Sequence, residues 1–108
     1  MALTTNTQSN GAGITNVAVG SVVTDAAAAA VTTFSCGFIP RYVKFVNITD
    51  RTVDEYWEGM AVSSSLHTVA VGTLTLELVN GITISGNGFS VTAATILPSK
   101  SFSWIAYR

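Results

Sequence analysis

The chain has 108 residues, of which 48% are hydrophobic and only 10% are charged, and its formal net charge at pH 7 is −1. This length fits one domain with a core that needs no disulfide. Five Lys and Arg residues are too few for a basic surface that binds nucleic acid, and no apolar run approaches the about 20 residues of a membrane-spanning helix. An ordinary soluble domain has about 25% charged residues, so this composition indicates a surface that neighbours cover in an assembly.

The first 13 residues are mostly Thr, Asn, Ser, Gly and Ala and contain little to bury. We predict a flexible or partner-ordered arm over residues 1–13 and a single β domain over residues 14–108. The start lacks the basic and apolar segments of a secretory signal, so we expect synthesis in the cytoplasm. Residues 26–30 are all alanine but too few to hold a helix, so we predict a short strand or a loop, with one helical turn as the alternative.

A strand, a turn and a second strand are predicted between residues 41 and 60. Residues 41–48 are rich in β-branched and aromatic side chains, which favour a strand. Val43 and Phe45 alternate with Tyr42 and Val46, so both faces carry large apolar groups, which is typical of a strand covered on both sides. The Asn, Thr and Asp residues that follow this strand predict the turn.

A clean alternation follows in the second half of the chain. Leu74, Leu76 and Leu78 are separated by polar residues, so we predict that the leucines face the core and the polar residues face out. Asn80-Gly81 comes directly after this strand and predicts a two-residue hairpin turn.

Turn signals recur every eight to twelve residues along the whole chain, and residues 86–88 provide another of them. With a last strand at residues 101–108, the count is seven to nine short strands and no long helix. The sequence therefore predicts an all-β fold, a small antiparallel β-sandwich or barrel-like domain with an extended N-terminal arm.

Three carboxylates lie close together in the sequence, at Asp54, Glu55 and Glu58. On a strand that rises about 3.3 Å per residue, Asp54 and Glu58 would lie roughly 13 Å apart on one face. Carboxylate pairs that hydrolyse a glycosidic bond lie about 5 to 9 Å apart, so we predict a solvated strand edge or ion pairs with nearby Lys and Arg residues. A small enzyme that depends on Asp54 or Glu58 stays open as an alternative.

His67 is the single histidine and Cys36 is the single cysteine. Together they cannot provide the four ligands of a usual zinc site, and no nucleophile motif accompanies His67. We interpret His67 as a surface or half-buried strand residue and Cys36 as a small packed group. The sequence predicts no catalytic residue, no cofactor-binding residue and no metal ligand.

The aromatic residues are the stronger indication of function. Core packing is the favoured interpretation for Phe45, Trp57 and Trp104. Tyr56 and Tyr107 are equally well explained as core residues or as anchors of a subunit interface, where aromatic and Arg side chains are enriched.

A resemblance to a known family rests on three segments, GFIPRYVKFVNITDRTVDEYWEGM, NGITISGNGFSV and SFSWIAYR. The Gly-Phe-x-Pro-Arg step, the Thr-Asp-Arg turn and the Trp-x-Gly-Met strand end are similar to those of small structural proteins encoded near the head genes of tailed bacteriophages. The similarity extends over residues 35–108 and leaves out the arm and the alanine run.

The resemblance implies a non-enzymatic virion component on the capsid surface, made in the host cytoplasm, and within that class a capsid decoration or cement protein. Its implied partners are the major capsid protein and copies of itself. The homotrimer is inferred by analogy with other decoration proteins. No nucleic acid, membrane or small-molecule substrate is expected as a partner. An extended arm would add a strand to the shell protein. The candidate interface residues are Arg41, Arg51, Tyr56, Trp57 and Tyr107 in the domain and Leu3, Thr4 and Thr5 in the arm.

Two other structural roles stay open beside decoration. One is a tail, neck or fibre-base protein of the same virion. The other is a carbohydrate-binding module on the virion, for which Trp57 is the predicted sugar platform.

Overall fold

The computed structural model describes the backbone of residues 3–9 and the backbone and side chains of residues 17–108. These ranges contain nine strands and no helix, and therefore no helix that could cross a membrane. The strands are β1 (Leu3–Ser9), β2 (Val17–Thr24), β3 (Thr32–Ser35), β4 (Tyr42–Asn47), β5 (Thr52–Trp57), β6 (Ser64–Thr68), β7 (Leu74–Ser85), β8 (Gly88–Val91) and β9 (Ser101–Tyr107).

The strands form one antiparallel sheet in the order β1-β2-β9-β4-β5-β6-β7-β8-β3. The sheet curls into a half-barrel, which brings β3 and β8 over β4 and β9. The prediction of an all-β antiparallel fold with seven to nine short strands is confirmed, and the barrel-like alternative describes the curl.

Aromatic rings fill the space inside the curl, and we call the side of the sheet that faces them the inner face. Phe34 and Phe89 meet Phe45 and Trp104 with ring centroids 5.1 to 6.3 Å apart. Each such ring pair stabilises the fold by about 0.5–1.5 kcal/mol beyond the area it buries. Phe45 and Trp104 are 1% and 3% exposed, so the core positions predicted for these two residues are confirmed.

Trp57 does not join this core. It is 51% exposed and lies on the outer face, the opposite side of the sheet. The register of β4 and β5 is the reason, because Asp54 pairs with Phe45 and therefore points inward. Trp57, three residues further along an alternating strand, points outward. The prediction of Trp57 as a core residue is therefore wrong.

The turn between β4 and β5 forms where the sequence predicts it. Asn47 Nδ2 donates to Asp50 Oδ2 at 3.0 Å, and Asn47 Oδ1 accepts the Asp50 N–H at 2.9 Å. Lys100 Nζ lies 3.0 Å from Asp50 Oδ1 and ties this turn to the start of β9. Asn47 is buried, so its amide packs inside the turn.

The leucines of β7 point the opposite way from the prediction. Leu74 and Leu76 are 58% and 56% exposed. The register places Thr75 opposite His67 and His67 opposite Asp54, which makes these three residues part of the inner face. The predicted alternation is present, but its direction is wrong because the inner face is polar at this end of the sheet.

The Asn80-Gly81 hairpin turn is also absent, because β7 continues through these residues. Ser65 pairs with Glu77 while Ser64 pairs with Ile82, so residues 78–81 form a bulge. A Cβ at Gly81 would lie 2.4 Å from the backbone carbon of Ser64, so the close approach of two chain segments requires this glycine.

Two other turns reverse the chain around β7. Residues 69–73 connect β6 to β7, with Gly72 at a φ of 93°. Gly86 and Asn87 connect β7 to β8, with Gly86 at a φ of 50°, and this agrees with the turn predicted for residues 86–88. Residues 26–30 contain neither strand nor helix, so the predicted loop is confirmed and the helical turn is not formed.

The backbone of β1 pairs with β2 at one edge of the sheet. Residues 1, 2 and 10–16 and the side chains of Leu3, Thr4 and Thr5 lie outside the described part of the chain. The flexible or partner-ordered arm over residues 1–13, and the interface role of its side chains, stay predictions.

Candidate functional site

A row of aromatic rings crosses the outer face at one end of β9, β4 and β5. Tyr107 pairs with Tyr42, and Tyr42 pairs with Trp57. The ring centroids are 5.7 Å apart in the first pair and 4.5 Å apart in the second. Trp57 is half exposed and Tyr107 is 42% exposed. We call these three residues the aromatic row.

A carboxylate fixes the central ring of this row. The Tyr42 hydroxyl donates to Glu55 Oε2 at 2.7 Å. Burial raises the pKa of Tyr42, and the hydrogen bond to the Glu55 carboxylate and its charge raise it further. The hydroxyl therefore remains protonated and a hydrogen-bond donor over the whole physiological pH range. The two neighbouring rings hold the Tyr42 ring from both sides, and Glu55 holds its hydroxyl.

A second apolar region lies on the outer face of β6 and β7. Leu66 pairs with Leu76 across the two strands, Leu74 lies two residues before Leu76, and Leu78 is 62% exposed beside the bulge. We call Leu66, Leu74, Leu76 and Leu78 the leucine patch. The sequence contained this signal, since the leucines do alternate, but their direction depends on which strand pairs with β7.

Charges on the outer face are few and balanced. Lys44 and Glu55 are cross-strand neighbours in the middle of the face, between the aromatic row and the leucine patch. Arg41 Nε lies 3.4 Å from Glu58 Oε2 next to the aromatic row, and both side chains are mostly exposed. Such an exposed ion pair stabilises the fold by less than about 1 kcal/mol.

The structure brings together three of the five interface residues predicted in the domain. Arg41, Trp57 and Tyr107 lie at one end of the outer face, where the Arg41 N–H donates to the Tyr107 carbonyl oxygen at 2.8 Å. Arg51 lies in the turn at the other end of β5, and Tyr56 points inward and packs against the core. Arg51 and Tyr56 are therefore not part of the same surface.

A polar cleft of about 260 Å³ lies at the inner face beside β5, β6 and β7. Asp54 is 5% exposed, and its Oδ1 accepts a hydrogen bond from Ser65 Oγ and lies 2.9 Å from His67 Nδ1. The prediction of a solvated strand edge is wrong for Asp54, whose partners come from the neighbouring strand. Of the other two carboxylates, Glu58 pairs with Arg41, as predicted, and Glu55 binds Tyr42.

The order of these three side chains decides what they can do. In a Ser-His-Asp triad the histidine stands between the serine and the aspartate and takes the serine proton. Here Asp54 stands between Ser65 and His67, because both bond the same carboxylate oxygen. This arrangement satisfies a buried carboxylate and does not activate Ser65 as a nucleophile.

Two further ionisable groups are also used structurally. The Glu77 carboxylate accepts the backbone N–H groups of Asn80 and Val79 at 3.1 Å each, and these bonds lower the pKa of Glu77. Burial raises the pKa of the Cys36 thiol to about 11, so it stays protonated at neutral pH. Within residues 17–108, no three His, Cys, Asp or Glu side chains come together as a set of metal ligands.

Comparison with known proteins gives no match to this chain from family models, from curated proteins or from solved structures.

Proposed function

We propose that the protein is a non-enzymatic structural subunit of a tailed-bacteriophage virion, a capsid decoration protein that binds and stabilises the shell of the major capsid protein. The observation that supports an assembly role is the outer face, which exposes two apolar regions on one side of a single sheet. Exposed apolar surface of this kind is typical of a protein interaction site. The phage context rests on the resemblance of residues 35–108.

The aromatic row is the part of the outer face that we assign to the shell. Trp, Tyr and Arg side chains are enriched among the binding hot spots of protein interfaces, and Arg41, Trp57 and Tyr107 lie together here. Tyr42 is already held by Glu55 and by its two neighbouring rings, so little side-chain freedom remains to be lost when a partner binds.

The test uses empty shells assembled from the major capsid protein of the phage or prophage that encodes this chain. The purified protein is expected to sediment with the shells and to raise the temperature at which they disrupt. Trp57→Ala combined with Tyr107→Ala is expected to weaken shell binding by at least about tenfold, since a hot-spot residue contributes about 2 kcal/mol or more. Val31→Ala, another exposed apolar residue, serves as the matched control.

Two results contradict the proposal. One is failure of the wild-type protein to bind the shells at all. The other is unchanged binding by the double variant while its circular dichroism shows an intact fold, which would remove the aromatic row from the shell contact.

A second test addresses the arm. Deletion of residues 2–13 is expected to leave the domain folded, because the aromatic rings that fill the curl lie in β3, β4, β8 and β9 and not in the deleted segment. Shell occupancy of the deleted protein is expected to fall, because β1 is the first strand of the sheet order and its outer edge can add main-chain hydrogen bonds to a strand of the shell protein. Occupancy equal to that of the full chain in a quantitative pelleting assay would refute the role of the arm.

The exposed Trp57 ring supports one alternative, a carbohydrate-binding module of the same virion. Sugars stack on exposed aromatic rings, and the neighbouring Glu55 supplies a hydrogen-bond acceptor. Titration with a panel of host surface glycans, followed by Trp57 fluorescence with Trp57→Phe as the control, decides between the two functions.

A further inference from the structure

The leucine patch is a separate surface from the aromatic row. Lys44 and Glu55 lie between the two regions on the outer face, and Glu55 borders the patch through its pairing with Leu66. The shell contact assigned above therefore leaves the patch uncovered.

Nothing in the described part of the chain covers this patch. β7 pairs with β8 only over residues 83–85, so its first half has β6 along one edge and no described strand along the other. Leu74, Leu76 and Leu78 are each more than half exposed. An apolar edge of this kind promotes association unless another chain covers it.

The charges around the patch favour one occupant. On β6 and β7, His67 and Glu77 are the ionisable residues, and both belong to the inner face, His67 at Asp54 and Glu77 beside the bulge. The outer side of the paired residues of β6 and β7 before the bulge presents leucines and Thr68 and no charged group. Glu55, opposite Leu66, is the charge at the border of the patch, and its carboxylate already accepts the Tyr42 hydroxyl. The patch itself therefore offers a charged partner no complementary group, whereas a second copy brings leucines against leucines.

The symmetry of such a contact follows from its composition. A two-fold interface uses the same surface on both copies and so requires a self-complementary patch. A stable interface covers about 800 Å² on each partner, which is about one seventh of the 5651 Å² accessible surface of this chain. The contact therefore extends from the leucines onto Thr68, which pairs with Leu74, and onto Val53, which pairs with Thr68.

We propose that the leucine patch binds a second copy of this chain through a two-fold contact, an inference that rests on the assembly role proposed above. This contact joins copies in pairs and is distinct from the homotrimer that the family resemblance implies.

Sedimentation equilibrium of the full chain without shells tests this inference. The wild-type protein is expected to form dimers in a concentration-dependent way. Leu74→Ser combined with Leu76→Ser is expected to raise the dissociation constant of the dimer at least about tenfold, since each substitution removes a leucine side chain that the dimer contact would bury. Val31→Ser, which changes an exposed apolar residue just before β3, is the control and is expected to leave the dimer intact.

Cross-linking locates the contact independently of any loss of folding. Leu76→Cys is expected to form an intermolecular disulfide under mild oxidation, because a two-fold contact centred on the patch brings the two copies of this position together. Val31→Cys is expected to stay monomeric on a non-reducing gel. The native Cys36 is buried and does not compete.

Any of four results overturns the proposal: a wild-type monomer at all concentrations, a trimer, a dimer that the leucine substitutions leave unchanged, or binding of the patch to lipid vesicles by a chain that is otherwise monomeric. Shell binding is measured separately. If the protein is monomeric but still binds shells, the two-fold contact is refuted and decoration is not. If it is dimeric but does not bind shells, decoration is refuted and the two-fold contact is not.

Discussion

The two faces of β4 differ in what covers them more than in what they are made of. Val43 and Phe45 point inward and are buried, while Tyr42 and Val46 point outward, are also apolar and are only half covered. The curl of the sheet closes over the inner side, and nothing in the described ranges closes over the outer side. This alternation, with large apolar groups on both sides, supports the assembly role proposed above.

The same comparison reverses at β6 and β7. There the inner face carries Ser65, His67 and Thr75, which line or adjoin the polar cleft, and the outer face carries leucines. One sheet thus has an apolar interior at β9 and β4 and a polar interior two strands further on. The position of a residue in the strand order, more than its own hydrophobicity, determines whether it is buried.

Replacing one tryptophan on each face gives the largest difference between them. Trp104→Ala is expected to lower the free energy of unfolding by about 3–5 kcal/mol, because the ring is buried against Phe34 and Phe89. Trp57→Ala is expected to lower it by only about 0.5–1.5 kcal/mol, because the ring is half exposed and loses mainly its contact with Tyr42. Urea denaturation measures both values, and similar losses would contradict the assignment of faces.

A smaller effect is expected on β6, where two neighbouring residues point to opposite faces. His67→Ala removes one hydrogen-bond partner of the buried Asp54 carboxylate and is expected to lower the free energy of unfolding by about 1–3 kcal/mol. Thr68→Ala, on the outer face of the same strand, is expected to change it by less than about 0.5 kcal/mol. If both variants unfolded at the same temperature as the wild type, the hydrogen bond between His67 and Asp54 would not contribute to stability.

The smallest effect concerns the acid side of the stability profile. The pKa of Glu77 is lowered in the folded chain from its ordinary 4.5, so its contribution is full above that value and is lost as the pH falls through the lowered one. The free energy of unfolding, measured over a series of acidic pH values, is expected to fall less steeply with decreasing pH in Glu77→Gln than in the wild type. Glu58→Gln is the control. If the Glu77 variant lost stability with falling pH as steeply as the wild type, the hydrogen bonds of Glu77 to the bulge would not contribute to stability.

Local signals predicted the features that depend on neighbouring residues. The turn at Asn47 and Asp50 forms because both side chains bond within the turn, and the alternation of Val43 and Phe45 is a property of one strand. The inward position of Trp104 also agrees with the core packing predicted for it.

Features set by distant parts of the chain were beyond local signals. Asn80-Gly81 has the composition of a hairpin turn, but the backbone of residues 63–65 approaches Gly81 and the strand continues as a bulge. Asp54 meets His67 only because β6 follows β5 in the sheet with this register. The face on which the leucines lie depends on the same strand pairing, so it cannot be predicted from the sequence around β7 alone.

The bulge at residues 78–81 also has a mechanical consequence. β7 pairs with β6 before the bulge and once more at Ile82, and then with β8 over residues 83–85, so one uninterrupted backbone belongs to both arms of the curl. The corner of the half-barrel is therefore a continuous strand and not a flexible linker, and its hydrogen bonds to Ser63 and Glu77 stiffen it. The two arms are mechanically coupled through β7, and we expect them to melt in one cooperative step.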